Sequence, residues 1–293
     1  MTAIALAHGT ARADVALAGA EIRRWTAGGR DLLWPGDPAI WGEISPILYP
    51  VVGWTRDGAR VDGRRYPLGL HGFARFEAFS VEASGADFVR LTLGDNARTR
   101  AVYPFAFALS VEYRLTDDAL GVTIEVANPG DRAAPYACGL HPGFRWPLGA
   151  AGREGAFVRF QKPEKADVPV IAPGGLIGAG KRRVPLEGRD LPLSDALFAD
   201  DAVCFLNCAS RSLAFRDASG ASIVMEFPGF DHAALWTRPG APFLCLEAWT
   251  GHSDPEGFAG DLFEKPSMRV LQPGGCARHE ARYGYREGQR EIN

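Results

Sequence analysis

A carboxylate lies within one of the most apolar segments of the chain. Glu247 belongs to Phe243-Leu-Cys-Leu-Glu-Ala-Trp249, in which the other six side chains are apolar, a pattern typical of a strand with little water on either face. Alternation places Cys245 and Trp249 on the same face as Glu247. Because a buried carboxylate needs a specific partner or a shifted pKa, Glu247 is a candidate acid–base group. The alternative is that Glu247 lies at a strand end and pairs with an arginine.

Two histidines occur in local sequences that resemble each other. His71 lies in Gly69-Leu-His-Gly-Phe-Ala-Arg75 and His141 in Gly139-Leu-His-Pro-Gly-Phe144, so each has glycine and phenylalanine close by. Pro142 favours an extended conformation of His141 at the end of a strand. A histidine on its own is more often a core or surface residue, but two in matching contexts, together with a buried glutamate, favour a functional site. We therefore expect His71, His141 and Glu247 to converge on one cleft.

The elements that must position these residues are predicted to be strands. Apolar residues alternate with small or polar ones through residues 105–115 and again through 120–126 after a turn, which indicates a hairpin with one face in a core. Nothing resembles a long amphipathic helix, and 35 glycines with 21 prolines suit many turns. The prediction is an all-β fold, a large antiparallel β-sandwich, with residues 1–293 as one domain. Further strands are predicted at residues 15–23, 88–93, 157–161, 203–207, 212–216, 221–227 and 233–236, and long loops at 141–155 and 163–181.

Composition argues against several classes of partner. The net charge is −3 and the one basic cluster is Lys181-Arg182-Arg183, so no surface for nucleic acid is expected. No apolar run is long enough to span a bilayer, and the alanine-rich N-terminus lacks the basic start of a signal peptide.

The cysteine count is odd and most cysteines lie in apolar segments, which favours reduced thiols and a cytoplasmic location. The five are Cys138, Cys204, Cys208, Cys245 and Cys276.

Other catalytic arrangements explain the sequence less well. There is no His-Glu-x-x-His motif or other local metal-ligand pair, and the glycine-rich residues 175–180 do not join a clear strand to a helix, as a phosphate loop does. No Gly-x-Ser-x-Gly motif is present. A glycosidase could use Glu247 with Asp195 or Asp231, but the two histidines would then have no role. We therefore expect neither a metal nor an organic cofactor.

Taken together, these segments resemble the aldose 1-epimerase (galactose mutarotase-like) family, in particular its bacterial LacX-like branch. The resemblance runs in the family's order from about residue 10 to about residue 285. No one motif is highly specific, but their order and spacing together are. The motifs are His71-Gly-Phe-Ala-Arg75, Asn128-Pro-Gly leading to Gly139-Leu-His-Pro-Gly-Phe144, Leu193-Ser-Asp-Ala-Leu-Phe198, Leu244-Cys-Leu-Glu-Ala-Trp249, residues 251–265 and Gln272-Pro-Gly-Gly275.

The resemblance implies a galactose mutarotase-like supersandwich whose concave face binds a pyranose. By position, Glu247 resembles the catalytic base, His141 the acid and His71 a second histidine that contacts the substrate. Two departures leave the substrate open: Gly143 stands where the family often has an aromatic residue, and Ala248 where it usually has proline. Further candidate substrate-binding residues are Arg75 and Asp195, which resemble ligands of sugar hydroxyls, and Trp249, Trp236 and Phe73, which could stack on the ring.

The implied reaction suits these residue types. Interconverting sugar anomers needs a base for the C1 hydroxyl and an acid for the ring oxygen, and glutamate and histidine (pKa about 4.3 and 6.5 when unperturbed) can fill those roles. The expected activity is therefore aldose 1-epimerase on a free hexose, with a small-molecule sugar as partner, no nucleic acid or membrane, and a monomer or homodimer. One alternative is a hexose-6-phosphate 1-epimerase, for which Arg23, Arg75, Arg98 and Arg145 are available. The other is a non-catalytic carbohydrate-binding module.

Overall fold

The computed structural model describes residues 3–149 and 152–288. In this part of the chain, strands are joined by turns, one helix, α1 (Ala97–Val102), and two 3₁₀ segments, Ala74–Phe76 and Asp195–Phe198. Paired strands run antiparallel throughout, so the prediction of an all-β antiparallel fold is confirmed. In chain order the strands are β1 (Ala3–His8), β2 (Ala11–Ala16), β3 (Ile22–Ala27), β4 (Arg30–Asp31), β5 (Ile47–Leu48), β6 (Ala59–Val61), β7 (Arg64–Tyr66), β8 (Ser80–Ser84), β9 (Phe88–Gly94), β10 (Ala108–Leu115), β11 (Ala119–Ala127), β12 (Ala134–Tyr136), β13 (Gly139–Leu140), β14 (Gly143–Arg145), β15 (Phe157–Phe160), β16 (Asp167–Ala172), β17 (Leu176–Arg183), β18 (Asp190–Pro192), β19 (Val203–Phe205), β20 (Ser212–Arg216), β21 (Ser222–Glu226), β22 (His232–Trp236), β23 (Phe243–Trp249), β24 (Arg269–Leu271) and β25 (Cys276–Arg286).

Two large sheets face each other across the core. The larger has nine strands in the order β18-β15-β20-β21-β25-β11-β10-β9-β8, and the other has the order β19-β22-β23-β13-β5 with β14 also paired to β23. Their inner residues share one hydrophobic cluster, to which β10 contributes Leu109 and Val111 and β23 contributes Leu244 and Leu246. The predicted hairpin of β10 and β11 is present, with Val111 opposite Ile124. The remaining sheets are β1-β2-β3-β4 and the pairs β6-β7, β12-β24 and β16-β17.

Strand β23 spans the predicted residues and is buried along its whole length. Its even-numbered residues, among them Leu244 and Leu246, enter the main core. Of its odd-numbered residues, Phe243 and Cys245 belong to a separate cluster with Trp34, and Glu247 lines a cavity with Trp249. The alternation predicted from the sequence therefore holds, and Glu247 lies inside the strand and not at its end.

Three predictions of secondary structure were wrong. Residues 141–155 are not all loop, because Gly143–Arg145 form strand β14, which pairs with β23. Residues 15–23 are not one strand, because the chain reverses between β2 and β3 at Gly19 and Ala20, which both have positive φ (68° and 48°). Residues 163–181 are not an open loop, since they contain most of the β16–β17 hairpin. Pro169 is tolerated in β16 because, among the described strands, β17 alone pairs with it, and an edge strand can spare one backbone donor.

The described residues also bear on two expectations drawn from composition. All five cysteines fall among them, and none is bonded to another; four are buried and Cys276 is exposed. No helix in the described ranges has the length and apolar character needed to cross a membrane. The single-domain organisation, the cytoplasmic location and the oligomeric state stay predictions.

Candidate active site

A cavity of about 250 Å³ opens on the outer face of β23, the face turned away from the main core. Of the candidate catalytic and substrate-binding residues named from the sequence, six line it together: His71, Arg75, His141, Trp236, Glu247 and Trp249. The convergence of the two histidines with Glu247, three residues far apart in the chain, is therefore present. Other lining residues are Trp41, Glu43, Gly53, Trp54, Leu70, Ile171, Gly175, Ile177, Asp201, Ala202, Cys204 and Ser253.

Strand pairing places His141 beside Glu247. The last residue of β13, Leu140, lies opposite Ala248, and the first residue of β14, Gly143, lies opposite Cys245. His141 and Pro142 therefore occupy the short break between two strands that both pair with β23. The result is a contact of 3.3 Å between His141 Nε2 and Glu247 Oε2, with the two side chains 10% and 1% exposed.

Trp249 also binds the carboxylate of Glu247. Its indole Nε1–H donates a hydrogen bond of 3.0 Å to Glu247 Oε2. Since Trp249 is two residues further along β23, both side chains project from the same face. Oε2 is thus engaged by two protein groups. The sequence suggested Trp249 as a sugar-stacking residue, and its position adds a role in orienting the carboxylate.

The protonation of His141 and Glu247 must be considered for the pair as a whole. Burial raises the pKa of Glu247 well above its usual value, against the hydrogen bond from Trp249, which lowers it. Burial shifts the pKa of His141 in the opposite direction and lowers it to about 3. Both shifts favour uncharged side chains, whereas the 3.3 Å contact favours the ion pair. These two forms contain the same number of protons and differ only in where one proton resides, so the pair titrates as a unit.

His71 is fixed as a neutral donor. Its Nδ1 accepts a hydrogen bond of 3.0 Å from the backbone N–H of Gly53, and a nitrogen that accepts cannot carry the proton, so in the neutral ring Nε2 does. Burial, and next the neighbouring His141, lower the pKa of His71 well below its usual value. The residue has φ of 59°, an uncommon conformation for a side chain of this size and one that occurs at functional sites. The rings of His71 and His141 are 5.5 Å apart.

Arg75 lines the cavity, and its positive charge is neutralised there by the carboxylate of Glu43. Its Nη1 lies 3.0 Å from both carboxylate oxygens of Glu43, and its Nη2 donates to the carbonyl of Leu70 at 3.0 Å. Burial raises the pKa of Glu43, and the positive charge of Arg75 opposes that shift. Arg75 therefore stays a candidate sugar ligand, but one that is held by an acidic partner.

Asp195 lies outside the cavity, whereas another aspartate, Asp201, lines it. Asp195 begins the 3₁₀ segment Asp195–Phe198, which turns Leu197 and Phe198 inward and leaves the Asp195 side chain 50% exposed and paired with Arg153 at 2.8 Å. It does not line the cavity; Asp201, which follows that segment, does. No pattern in the sequence pointed to Asp201, because its approach to the cavity depends on the turn that precedes it.

The other acidic and aromatic candidates lie elsewhere. Asp231, the second carboxylate of the glycosidase alternative, forms an ion pair with Arg269 at 2.7 Å and is not among the residues that line the cavity. Phe73 packs in the main core against Tyr49. Trp236 does line the cavity, with its ring 5.9 Å from that of His141.

One lining segment was missed altogether. Residues 34–45, which we call the strap, contain no strand and bring Trp41 and Glu43 to the cavity. Trp41 also explains the glycine at 143, since a Cβ added there would lie 2.8 Å from the Trp41 ring. The two tryptophans of Trp34-Pro-Gly-Asp-Pro-Ala-Ile-Trp41 were the available signal, but nothing in their spacing indicated where the segment folds back.

The donor set at the site resembles a metal site in composition only. His141, Cys245 and Glu247 have one potential ligand atom each within 4.8 Å of the others. Burial raises the pKa of the Cys245 thiol well above its usual value, whereas a metal ligand must be the thiolate. This chemistry fits a proton-sharing pair better than a bound ion, and independence from metals stays a prediction.

Comparisons with known proteins identify the family of this chain. Residues 2–257 match the family model described as "Aldose 1-epimerase". Protein LacX (chromosomal) of Lactococcus lactis subsp. lactis is 31% identical over 257 residues, which are 84% of this chain and 86% of that protein.

Solved structures resemble the whole described fold. A galactose mutarotase-like protein from Lactobacillus casei ATCC 334 superposes with a TM-score of 0.92 at 27% identity, covering 97% of this chain and all of that one. A galactose mutarotase related enzyme from Lactobacillus acidophilus gives 0.88 at 26% identity, with complete coverage of both chains. The chain therefore belongs to the aldose 1-epimerase family.

Proposed function

We propose that the protein is an aldose 1-epimerase that interconverts the α and β anomers of a free, unphosphorylated hexose. The observation that carries the proposal is the 3.3 Å contact between His141 Nε2 and Glu247 Oε2 on the wall of an open cavity. This contact provides an acid and a base within reach of the two oxygens bonded to C1 of a pyranose, the hydroxyl and the ring oxygen. The neutral His71 supplies a further hydrogen-bond donor.

The reaction uses both forms of the pair. In the ion-pair form, Glu247 accepts the proton of the C1 hydroxyl while the C1–ring oxygen bond breaks. The electron pair of the broken bond goes to the ring oxygen, which is protonated by His141. The open aldehyde rotates about C1–C2, and closure returns the proton from Glu247 to O1 and the proton of the C5 hydroxyl to His141. Ring opening therefore converts the ion pair to the neutral pair, and closure restores it.

The opposing effects on the pair suit this cycle. Burial favours the neutral form and the short contact favours the ion pair, so the two effects oppose each other. The catalytic cycle passes through both forms, and general acid–base catalysis needs groups that can both give up and accept a proton. The hydrogen bond from Trp249 keeps the ionised carboxylate within reach by lowering its pKa.

The charges around the cavity support an unphosphorylated sugar. Among the described residues that line it, Arg75 is the one with a permanent positive charge, and Glu43 neutralises that charge, while Asp201 and Glu247 are also acidic. A phosphate is recognised by converging cations. The other arginines proposed for that purpose lie outside the cavity. Arg98 pairs with Glu77, Arg23 pairs with Glu21, and Arg145 shares a separate cavity with Arg23.

Exchange NMR or polarimetry on fresh α-anomers tests the proposal. Purified protein should speed anomer equilibration of glucose or galactose, and should act more weakly on glucose 6-phosphate. Faster turnover of the phosphorylated sugar would favour the hexose-6-phosphate alternative. Sugar binding without any acceleration would make the protein a carbohydrate-binding module on this fold.

A further inference from the structure

The strap, residues 34–45, contributes two side chains to the cavity that the acid–base mechanism does not use. These are Trp41 and Glu43. Trp41 is partly exposed, and the Glu43 side chain is 35% exposed. Both therefore remain accessible from the cavity, which makes them available to a ligand.

The strap is fixed although it contains no strand. The Trp34 backbone N–H donates to the carbonyl of Gly143 at 2.9 Å, and the Gly143 N–H donates to the carbonyl of Ile44 at 2.8 Å. Within the strap, the Trp34 indole N–H donates to the carbonyl of Trp41 at 2.8 Å. The strap is thus tied to the first residue of β14, two residues after His141, so its side chains have defined positions beside the acid–base pair.

Trp41 presents a flat aromatic surface beside the reacting groups. Its ring stacks on Phe243 with centroids 5.2 Å apart and planes at 24°, and it lies 5.2 Å from His141 and 5.5 Å from Trp236. A partly exposed tryptophan that is held by its neighbours offers a large rigid surface to a ligand. The C–H face of a pyranose is a ligand of matching size and polarity.

Glu43 and Arg75 form a mixed donor and acceptor group at the same cavity. The carboxylate has two oxygens, both 3.0 Å from Arg75 Nη1, and each keeps a lone pair for a further donor. The guanidinium has five N–H donors, which a single carboxylate does not exhaust. An acceptor next to a donor matches two neighbouring hydroxyls of a sugar, of which one donates and the other accepts.

We propose that Trp41 and Glu43 form the recognition half of the sugar site: Trp41 stacks on the apolar face of the pyranose, and Glu43, together with Arg75, binds a pair of adjacent hydroxyls. The choice of a pyranose rests on the proposed function, but the assignment of these residues does not depend on turnover. Its tests are therefore measurements of binding, in addition to rates.

The first test replaces the aromatic surface. Trp41→Leu should raise the dissociation constant for glucose or galactose about tenfold or more, the usual consequence of truncating a buried tryptophan contact. Trp41→Phe keeps an aromatic face and should retain most of the affinity. Phe263→Leu, an exposed aromatic residue outside the cavity, is the matched control and should bind as the unmodified protein does. Equal affinity of Trp41→Leu and the unmodified protein would overturn the stacking role.

The second test asks which hydroxyl Glu43 binds. Dissociation constants are measured by calorimetry for the parent hexose and its 2-, 3-, 4- and 6-deoxy analogues. In the unmodified protein, removing a hydroxyl that Glu43 binds should weaken affinity about threefold to tenfold, and in Glu43→Gln the same removal should have a much smaller effect. Glu82→Gln, which breaks an Arg–Glu pair with Arg90 on another sheet, should leave the whole analogue series unchanged.

The outcomes separate this inference from the proposed function. If Glu43→Gln leaves the order of the analogues as it was, or weakens all of them equally, Glu43 is not a ligand of specific hydroxyls and its place in the recognition half of the site is refuted. If the strap variants behave as expected but the unmodified protein never accelerates anomer exchange, the recognition site stands and the epimerase proposal fails. If no hexose binds at all, both are overturned.

Discussion

Two of the walls that line the cavity, which we call the sheet wall and the strap wall, are built in different ways. On the sheet wall, His141 and Glu247 are positioned by β13, β14 and β23, whose backbone pairing leaves little freedom. The strap wall has no strand and is held by a few hydrogen bonds near its ends. Proton transfer requires precise distances, whereas recognition can tolerate adjustment. The difference suggests that the sheet wall controls turnover and the strap wall controls which sugar binds.

The largest effect should come from the carboxylate of the sheet wall. Glu247→Gln keeps the size of the side chain but removes the base, so turnover measured by exchange NMR should fall by roughly 10² or more, while the affinity for sugar changes little. Asp195→Asn, at an exposed aspartate outside the cavity, is the control and should leave the rate unchanged. Near-normal exchange in Glu247→Gln would place the base elsewhere and end the division of roles between the walls.

The next effect concerns the residue that orients the carboxylate. Trp249→Phe removes the N–H that donates to Glu247 Oε2. Without this donor the ionised form is less stable, so the pKa of the carboxyl rises and the acid limb of the pH–rate profile moves to higher pH. Hydrogen bonds to charged groups contribute about 1.5–3 kcal/mol, so turnover at neutral pH should fall about tenfold or more. An acid limb that does not move would show that Trp249 only fills space.

A smaller effect, on binding more than on turnover, is expected at His71. The Gly53 N–H donates to His71 Nδ1, which leaves the ring proton on Nε2 as a donor. Asparagine has a shorter side chain, so in His71→Asn the side-chain N–H should no longer reach the sugar. The loss of one neutral hydrogen bond corresponds to about threefold to tenfold in KM. A fall in kcat with KM unchanged would contradict this and would assign His71 to the acid–base chemistry.

The smallest effect concerns stability at another point of the same sheet face. His232 lies opposite Trp249, and burial lowers its pKa to about 4. A group whose pKa is lowered on folding stabilises the protein above its unfolded pKa, about 6.5, and this contribution is lost as the pH falls toward the folded value. His232 should therefore account for about 1 kcal/mol of lost stability between pH 7 and pH 5.5. Urea unfolding at both pH values measures it, and His232→Gln should show a correspondingly smaller loss; an equal loss in both proteins would exclude the assignment.

Much of the site could be predicted because its residues lie in segments with a strong local pattern. The apolar run around Glu247 indicated a buried strand, and β23 has the predicted bounds. The glycine-flanked histidines pointed to a shared cleft, and both line the same cavity. Asp195 was a different case, since a surface aspartate that begins a 3₁₀ turn looks the same in sequence as one that reaches a ligand.

The fold class, the strand that carries Glu247 and the two candidate histidines could be inferred from the amino-acid sequence, because period-two alternation and an apolar or glycine-rich context are local properties of the chain. The folded structure was needed to show that Asp201, and not Asp195, lines the cavity, that Trp41 fills the space beside Gly143, and that Glu43 neutralises Arg75. Each of these depends on where an irregular segment folds back onto a distant strand. Such placement is set by packing and by single hydrogen bonds between segments far apart in the chain, for which no periodic signal exists.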